Sequence, residues 1–148
     1  MYNTRMFKIS GTFLYYLLWP LVWLYAPLRV RVRVLLLVDC EVAVVKNWFG
    51  PNNWQFPGGG MKFGEQATDT ALREIREELG ITIMHNKLQQ VTDEPEIVRF
   101  SGLLFRYHYV ISKFDTKPKF VTSREIVGSD WVRVTSVKIP RKVLANIL

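Results

Sequence analysis

The chain has 148 residues, 49% of them hydrophobic, which is enough for one buried core and too little for several. Its single cysteine, Cys40, excludes an internal disulfide and favours a reducing compartment. The net charge of +7 suits an anionic ligand. However, no basic run alternates with stacking aromatic residues, so we expect no specific binding of nucleic acid.

The N-terminal part contains a long uncharged stretch, residues 9–28, which has the length that a helix needs to cross a bilayer. Pro20 lies near its centre and should interrupt a helix there, and the tyrosine and tryptophan content favours a membrane interface. We therefore separate residues 1–28 as an apolar N-terminal segment, either a membrane anchor or an interfacial helix. The alternative is that it packs on its own domain or on a second subunit of a homodimer.

Residues 29–148 have the pattern of one mixed α/β domain. Residues 29–34 alternate arginine and valine before a fully apolar run, which predicts a strand with one exposed face that then becomes buried. Asp39 and Cys40 predict a hairpin turn. The other predicted elements are a strand at 41–46, a turn-rich loop at 48–53, strands within 81–91, 96–113 and 130–134, and a short C-terminal helix at 139–148 in which Pro140 marks the start.

The segment from Gly59 to Ile81 reads GGMKFGEQATDTALREIREELGI and is the most informative part of the chain. Its apolar residues recur at helical spacing and predict an amphipathic helix over residues 68–79. The same helix brings Glu74, Glu77 and Glu78 onto one adjacent arc, where like charges repel. Three such carboxylates favour a hard divalent cation, Mg²⁺ or Mn²⁺. The alternative is a solvated acidic face with Arg73–Glu77 pairs.

The spacing of these residues resembles the signature of the Nudix hydrolases. The matching positions are Gly59, Glu65, Arg73-Glu74-Ile75, Glu77-Glu78 and Gly80-Ile81. The resemblance implies the Nudix fold for residues 29–148, in which α-helices enclose a mixed β-sheet. It also implies a Mg²⁺-dependent enzyme, with Mn²⁺ as the other possible cofactor. Such an enzyme cleaves a nucleoside diphosphate linked to another moiety into a nucleoside monophosphate and a phosphorylated product.

The resemblance also suggests a role for each box residue. Glu74 and Glu78 would be the principal metal ligands, and Glu77 would bind a second metal or position the attacking water. The carbonyl of Gly58, just before the box, would join the metal shell. Glu65 and Arg73 would hold the loop by pairing with each other.

The general base is left open by the sequence. Glu77 is one candidate, and Glu125 on a later loop is another, because some relatives use a loop glutamate. Several further acids remain possible: Asp93, Glu94, Glu96, Asp115 and Asp130.

The substrate is not specified by any subfamily marker. Phe49 and Trp54 are candidates to stack a base, although Trp54 is better suited to packing, and Lys62 is a candidate to contact phosphate. Two alternatives to a nucleotide hydrolase stay open. One is a non-catalytic nucleotide-sensing module, and the other is a membrane-tethered hydrolase of a lipid-linked diphosphate. We expect a cytoplasmic protein, on the inner face of the cell membrane if residues 9–28 are inserted.

Overall fold

A computed structural model of the chain describes residues 4–25, 29–100 and 103–147. The strands are β1 (Val30–Val38), β2 (Glu41–Asn47), β3 (Gln89–Gln90), β4 (Glu96–Phe100), β5 (Leu103–Lys113) and β6 (Ile126–Arg133). The helices are α1 (Thr4–Leu17), α2 (Trp19–Tyr25), α3 (Ala67–Leu79) and α4 (Arg141–Leu144). Two 3₁₀ turns lie at His85–Lys87 and Val134–Ser136.

The strands form one mixed sheet in the order β3-β5-β1-β2-β6, with β4 also paired to β5. β1 and β5 are parallel, and the other pairs are antiparallel. A parallel pair needs a long crossover, and α3 lies within the segment that connects them. The register of this pair sets Arg31 beside Tyr107 and Arg33 beside Tyr109. Cationic and aromatic side chains therefore meet on one face of the central strands.

Helices cover both faces of the sheet. On one face, Ile75 and Leu79 of α3 are fully buried against a cluster that includes Val34 of β1. On the other face, Val143 of α4 packs with Leu35 and its neighbours. This arrangement confirms the predicted mixed sheet between helices. The predicted hairpin at Asp39 and Cys40 is also present, because β1 pairs with β2 directly across it.

The prediction that the last strand begins at Asp130 is wrong. β6 begins at Ile126 and pairs with β2 from Glu41–Arg133 to Lys46–Gly128, with an irregularity beyond Lys46. Because Gly128-Ser129-Asp130 is polar, this part of β6 does not show the alternating hydrophobic pattern that predicts a strand. Its hydrogen bonds to β2 establish it instead.

The apolar N-terminal stretch forms two helices separated at Leu18, close to Pro20, as the proline predicts. α1 contacts the loop after β2, where Tyr15 meets Phe49 edge to face with ring centroids 5.6 Å apart. Within residues 4–25, 29–100 and 103–147, no helix is both long and apolar enough to cross a membrane. Residues 26–28 of the predicted segment lie outside the described residues.

The glycine-rich turn before α3 approaches the central strand closely. The carbonyls of Pro57 and Gly59 accept hydrogen bonds from the amides of Val34 and Val32, at 2.9 and 2.8 Å. Between them Gly58 has φ of +132°, and a side chain there would collide with the Val32 carbonyl oxygen. Gly59 and Gly60 have φ values outside this left-handed region. Of Gly58, Gly59 and Gly60, only Gly58 has a backbone conformation that requires glycine.

We expect Gly58→Ala to lower the free energy of unfolding by about 2–3 kcal/mol, because it combines a positive φ with a collision against backbone. Gly60→Ala is the matched control, since its added methyl would meet nothing nearer than 3.9 Å. That variant should change the stability by less than about 0.5 kcal/mol. Urea denaturation of both variants measures the difference, and equal stabilities would contradict this account of the turn.

Candidate active site

Helix α3 directs two of its glutamates at the glycine turn. Gly58 donates its amide N–H to Glu78 Oε2 at 2.9 Å, in a buried hydrogen bond. Gly59 lies so close to the Glu74 carboxylate that a Cβ atom at this position would collide with it. Glu74 and Glu78 are one helical turn apart, so both carboxylates lie on the side of α3 that faces the turn. The helix ends at Gly80, which adopts the left-handed conformation that suits a C-cap.

The carboxylate of Glu78 is in an unusual electrostatic position. Only 7% of the residue is exposed, and its burial raises the pKa to about 7. The Gly58 amide opposes this rise, the negative charge of Glu74 adds to it, and Arg33 opposes it. A buried carboxylate beside a second carboxylate is stabilised by a proton or by a cation. The site therefore favours a positive charge at this point.

Glu65 and Arg73 connect the loop to the helix. Arg73 donates to Glu65 through two nitrogens: Nε lies 2.9 Å from Oε1, and Nη2 lies 3.0 Å from Oε2. Thr70 and the amide of Lys62 also donate to Glu65, and Arg73 donates to the Gly60 carbonyl. The hydrogen bond from Arg73 is the main reason that the pKa of Glu65 falls to about 2. These contacts pair the two residues with each other, and their role as an anchor of the loop stays a prediction.

The donor set fits a divalent cation. Glu78 supplies a buried carboxylate and Glu74 a partly buried one beside it, and no hydrogen bond of the described residues uses the Gly58 carbonyl. Hard oxygen ligands of this kind suit Mg²⁺ and Mn²⁺. Among the described residues, however, no group of three His, Cys, Asp or Glu side chains is arranged to hold a metal ion.

The predicted third carboxylate, Glu77, points elsewhere. Its side chain is 60% exposed and lies 3.4 Å from Arg73, which also contacts Glu74 at 2.6 Å. Arg73 thus provides the positive charge nearest to both of these carboxylates. The metal-binding role of Glu77 stays a prediction.

Glu125 is exposed in the turn just before β6. Its loop is attached to the end of α3, because the amides of Val121 and Ser123 donate to the carbonyls of Leu79 and Glu78 at 2.9 and 3.0 Å. The charge of Glu125 also raises the pKa of Glu78, so the two carboxylates interact across the site. The Glu125 carbonyl accepts the amide of Trp48 at 2.9 Å. Its role as general base stays a prediction.

A cavity of about 540 Å³ opens beside the glycine turn. Its cationic wall is formed by Arg29, Arg31 and Arg33, and its aromatic wall includes Tyr107 and Phe49. The prediction that the arginine face of β1 is solvent-exposed is therefore wrong for Arg31 and Arg33, which are half-buried. β1 lies between β5 and β2, and the loop after β2 covers this end of its face.

Two residues of the cavity wall each have one polar atom without a hydrogen-bond partner among the described residues. Arg31 Nε and Asn47 Oδ1 are both buried without a hydrogen bond. Burial, and then the neighbouring Arg33, lower the pKa of Arg31. Arg33, in contrast, donates to the Phe56 carbonyl at 2.8 Å and to Gln55 Oε1 at 2.9 Å. The two unpartnered atoms are themselves shielded from solvent, although both residues contribute to the cavity wall.

The three predicted substrate residues occupy different places. Phe49 lines the cavity. Trp54 is not among the described residues that line the cavity. Its ring lies against Lys46 instead, and Lys46 Nζ is 4.7 Å from the ring centroid. Lys62 is exposed, and its backbone amide binds Glu65. Sequence reasoning missed the arginines of β1 as site residues, although their strict alternation with valine at the start of this strand was the available signal.

The box geometry, the glycine turn and the sheet together define a protein of the Nudix class. The model of the NUDIX domain family matches residues 27–147. Because this match covers most of the chain, the protein belongs to the NUDIX family, and the resemblance seen in the sequence is confirmed.

The chain is similar to particular members of this family over short stretches. It is 46% identical over 44 residues to an RNA pyrophosphohydrolase of Pseudoalteromonas atlantica, a match that covers 30% of this chain and 25% of that one. It is 37% identical over 60 residues to an RNA pyrophosphohydrolase of Campylobacter jejuni, covering 40% and 31% of the two chains. The matched part of the chain thus spans about a quarter to a third of the length of these curated relatives.

Among solved structures, a MutT/nudix family protein from Enterococcus faecalis matches with a TM-score of 0.63. The two are 18% identical, and the match covers 88% of this chain and 54% of that chain. This likeness supports the Nudix fold.

We expect Glu65→Gln to lower the free energy of unfolding at pH 7 by roughly 1–3 kcal/mol, because charged hydrogen bonds to Arg73 are lost. The folded-state pKa of Glu65 is about 2, below its ordinary value of 4.5. The stabilisation is therefore complete above pH 4.5 and is lost as the pH falls through 2.

Glu77→Gln is the matched control, because Glu77 faces the same arginine from an exposed position. It should cost less than about 0.5 kcal/mol. Chemical denaturation from pH 7 to pH 3 measures both variants. A Glu65→Gln deficit that is absent at pH 7, or that grows as the pH falls, would contradict the assignment.

Proposed function

We propose that this protein is a divalent-metal-dependent hydrolase of a diphosphate linkage in a nucleoside diphosphate derivative. The products would be a nucleoside monophosphate and a phosphorylated remainder. The observation that carries the proposal is that the arginine cavity and the Glu74–Glu78 pair meet at the glycine turn: Gly60 lines the cavity, while Gly58 and Gly59 contact the two carboxylates. Both glutamates also interact electrostatically with Arg31, which supports placing the anionic and cationic groups in one site.

The metal would be held by Glu74, Glu78 and the Gly58 carbonyl, with Glu77 as a further ligand. Mg²⁺ or Mn²⁺ at this point supplies charge neutralisation on phosphate oxygens and a lower pKa for a bound water. Two features support this placement: the buried carboxylate of Glu78 favours a nearby positive charge, and the turn contacts both Glu74 and Glu78.

The arginines would bind the diphosphate. A guanidinium forms paired hydrogen bonds with phosphate oxygens, and Arg31 is one of the cationic residues of the cavity wall. Arg33 is held by Phe56 and Gln55 and lies 5.0 Å from the Tyr107 ring centroid. It therefore gives the wall a fixed positive charge. The aromatic residues of the cavity, Phe49 and Tyr107, would pack against the base or sugar.

In the reaction, water attacks one phosphorus, the bridging P–O bond breaks, and the bridging oxygen leaves with the other phosphate. A carboxylate must accept the proton of the water. Glu125 suits this role because its loop is attached to α3 and its charge reaches Glu78. Glu77 is the other candidate, and its exposed side chain makes it accessible to water.

A second candidate, a hydrolase that works at a membrane, has one observation in its favour. Several large apolar side chains of α1 and α2 are 60% or more exposed, including Phe13, Leu17, Leu21 and Leu24. Such a surface suits a bilayer interface, where a lipid-linked diphosphate would be available. A homodimer contact would cover the same surface. A non-catalytic sensor remains the alternative if turnover is absent.

We expect Glu78→Gln to reduce turnover at least about 1000-fold, because it removes a metal-binding charge and a preorganised part of the site. The fold should be retained, since a neutral amide replaces a carboxylate whose burial is costly. The assay follows the monophosphate product formed from nucleotide sugars, dinucleotide polyphosphates and oxidised nucleoside triphosphates, and the 5′-monophosphorylated RNA and pyrophosphate formed from 5′-triphosphorylated RNA, with Mg²⁺ and with chelator.

Asp69→Asn serves as the control, because Asp69 is an exposed acid on the same helix that lies near His85, and it is not among the candidate site residues. It should retain wild-type turnover. Metal-dependent activity that survives in Glu78→Gln would refute the ligand assignment, and a wild-type protein inactive on the whole panel would refute the proposed activity.

A further inference from the structure

Helix α1 forms part of the wall of the cavity. Tyr15 is one of the residues that line it, together with the arginines of β1 and Tyr107 of β5. Its relative exposure is only 9%, although the neighbouring Tyr16 is 60% exposed. The phenol also interacts electrostatically with Arg31 and Tyr107. One face of this helix is thus turned toward the binding cavity.

The docking of α1 depends on close contact with the loop after β2. Gly11 lies one helical turn before Tyr15, and it rests directly on Trp48. A Cβ atom at Gly11 would collide with both the Trp48 ring and the Trp48 carbonyl oxygen. Beside this contact, Tyr15 meets Phe49 with ring planes at 82° and centroids 5.6 Å apart. This edge-to-face geometry is the favourable one for aromatic pairs.

The same loop joins the helix to the proposed chemistry. Trp48, against which Gly11 packs, donates its amide N–H to the Glu125 carbonyl. Phe49, whose ring contacts Tyr15, lines the cavity itself. The position of α1 is therefore coupled to two parts of the site.

We propose that Tyr15 contacts the substrate and that α1 completes the wall that receives its nucleoside part. This inference rests on the proposed function and assigns a specific residue to substrate binding. Tyr15, Phe49 and Tyr107 form an aromatic surface on the cavity, and Arg31 lies among them. A planar base bonded to a diphosphate matches this combination of aromatic and cationic groups.

The competing explanation is that Tyr15 only packs α1 onto the domain. Packing alone predicts a change in thermal stability with unchanged ligand affinity. Substrate contact predicts a loss of affinity, and it predicts the same loss when α1 is displaced without altering Tyr15. The two explanations therefore differ in a measurable way.

The test uses the full chain and titration calorimetry with α,β-methylene-ADP, a non-hydrolysable nucleoside diphosphate, in the presence of Mg²⁺. We expect Tyr15→Ala to weaken binding roughly tenfold, since an aromatic contact is lost. Gly11→Leu should weaken it similarly, because leucine preserves helix propensity but cannot fit against Trp48. Tyr15→Phe keeps the ring and should stay within about twofold of the wild type.

Phe13→Ala is the matched control, because Phe13 lies on the same helix with 68% exposure, and it should bind the analogue as the wild type does. Thermal unfolding of each variant separates loss of affinity from loss of fold. Unchanged affinity in Tyr15→Ala, with a wild type that binds, would overturn the role of Tyr15 and leave the proposed function standing. A wild type that neither binds the analogue nor turns over any panel compound would overturn the proposed function itself.

Discussion

The hydrogen bond from the Gly58 amide to Glu78 is the interaction on which the site depends. It requires a residue that tolerates a positive φ and leaves room for the Val32 carbonyl, and only glycine does both. The bond fixes a carboxylate in a buried place where burial itself disfavours its charge. Burying the charged Glu78 carboxylate lowers the stability of the fold, and a bound cation can offset this cost. Such an arrangement is expected of a functional site.

The arginines of β1 supply the opposite charge at the same place. Because β1 and β5 are parallel and central, Arg31 and Arg33 sit beside tyrosines instead of facing open solvent. The glycine turn crosses directly beside them, with Gly60 bridged to Arg31. A ligand with negative phosphates and a planar group would meet cations and aromatic rings in this cavity, next to the turn that contacts Glu74 and Glu78. Helix α1 then adds a further aromatic side chain from a part of the chain outside the box.

The sequence predicted the local elements that depend on spacing. The helix predicted at 68–79 and observed at 67–79, the turn before it and the hairpin at Asp39 were found because glycine, periodic apolar residues and carboxylates each leave a short-range pattern. The start of β6 and the burial of the β1 arginines were missed, since both depend on neighbours distant in the chain. The contact of Gly11 with Trp48 was likewise invisible, because a glycine in an apolar helix gives no indication of its partner.

The most direct test of the account is a Mn²⁺ titration followed by electron paramagnetic resonance, with and without α,β-methylene-ADP. If the carboxylate pair and the arginine cavity form one site, each ligand must strengthen the binding of the other. We expect the analogue to tighten Mn²⁺ binding roughly tenfold or more, and we expect Arg31→Gln to remove most of that gain. Mn²⁺ binding that is independent of the analogue would show that the two halves do not share a site, and it would contradict the account.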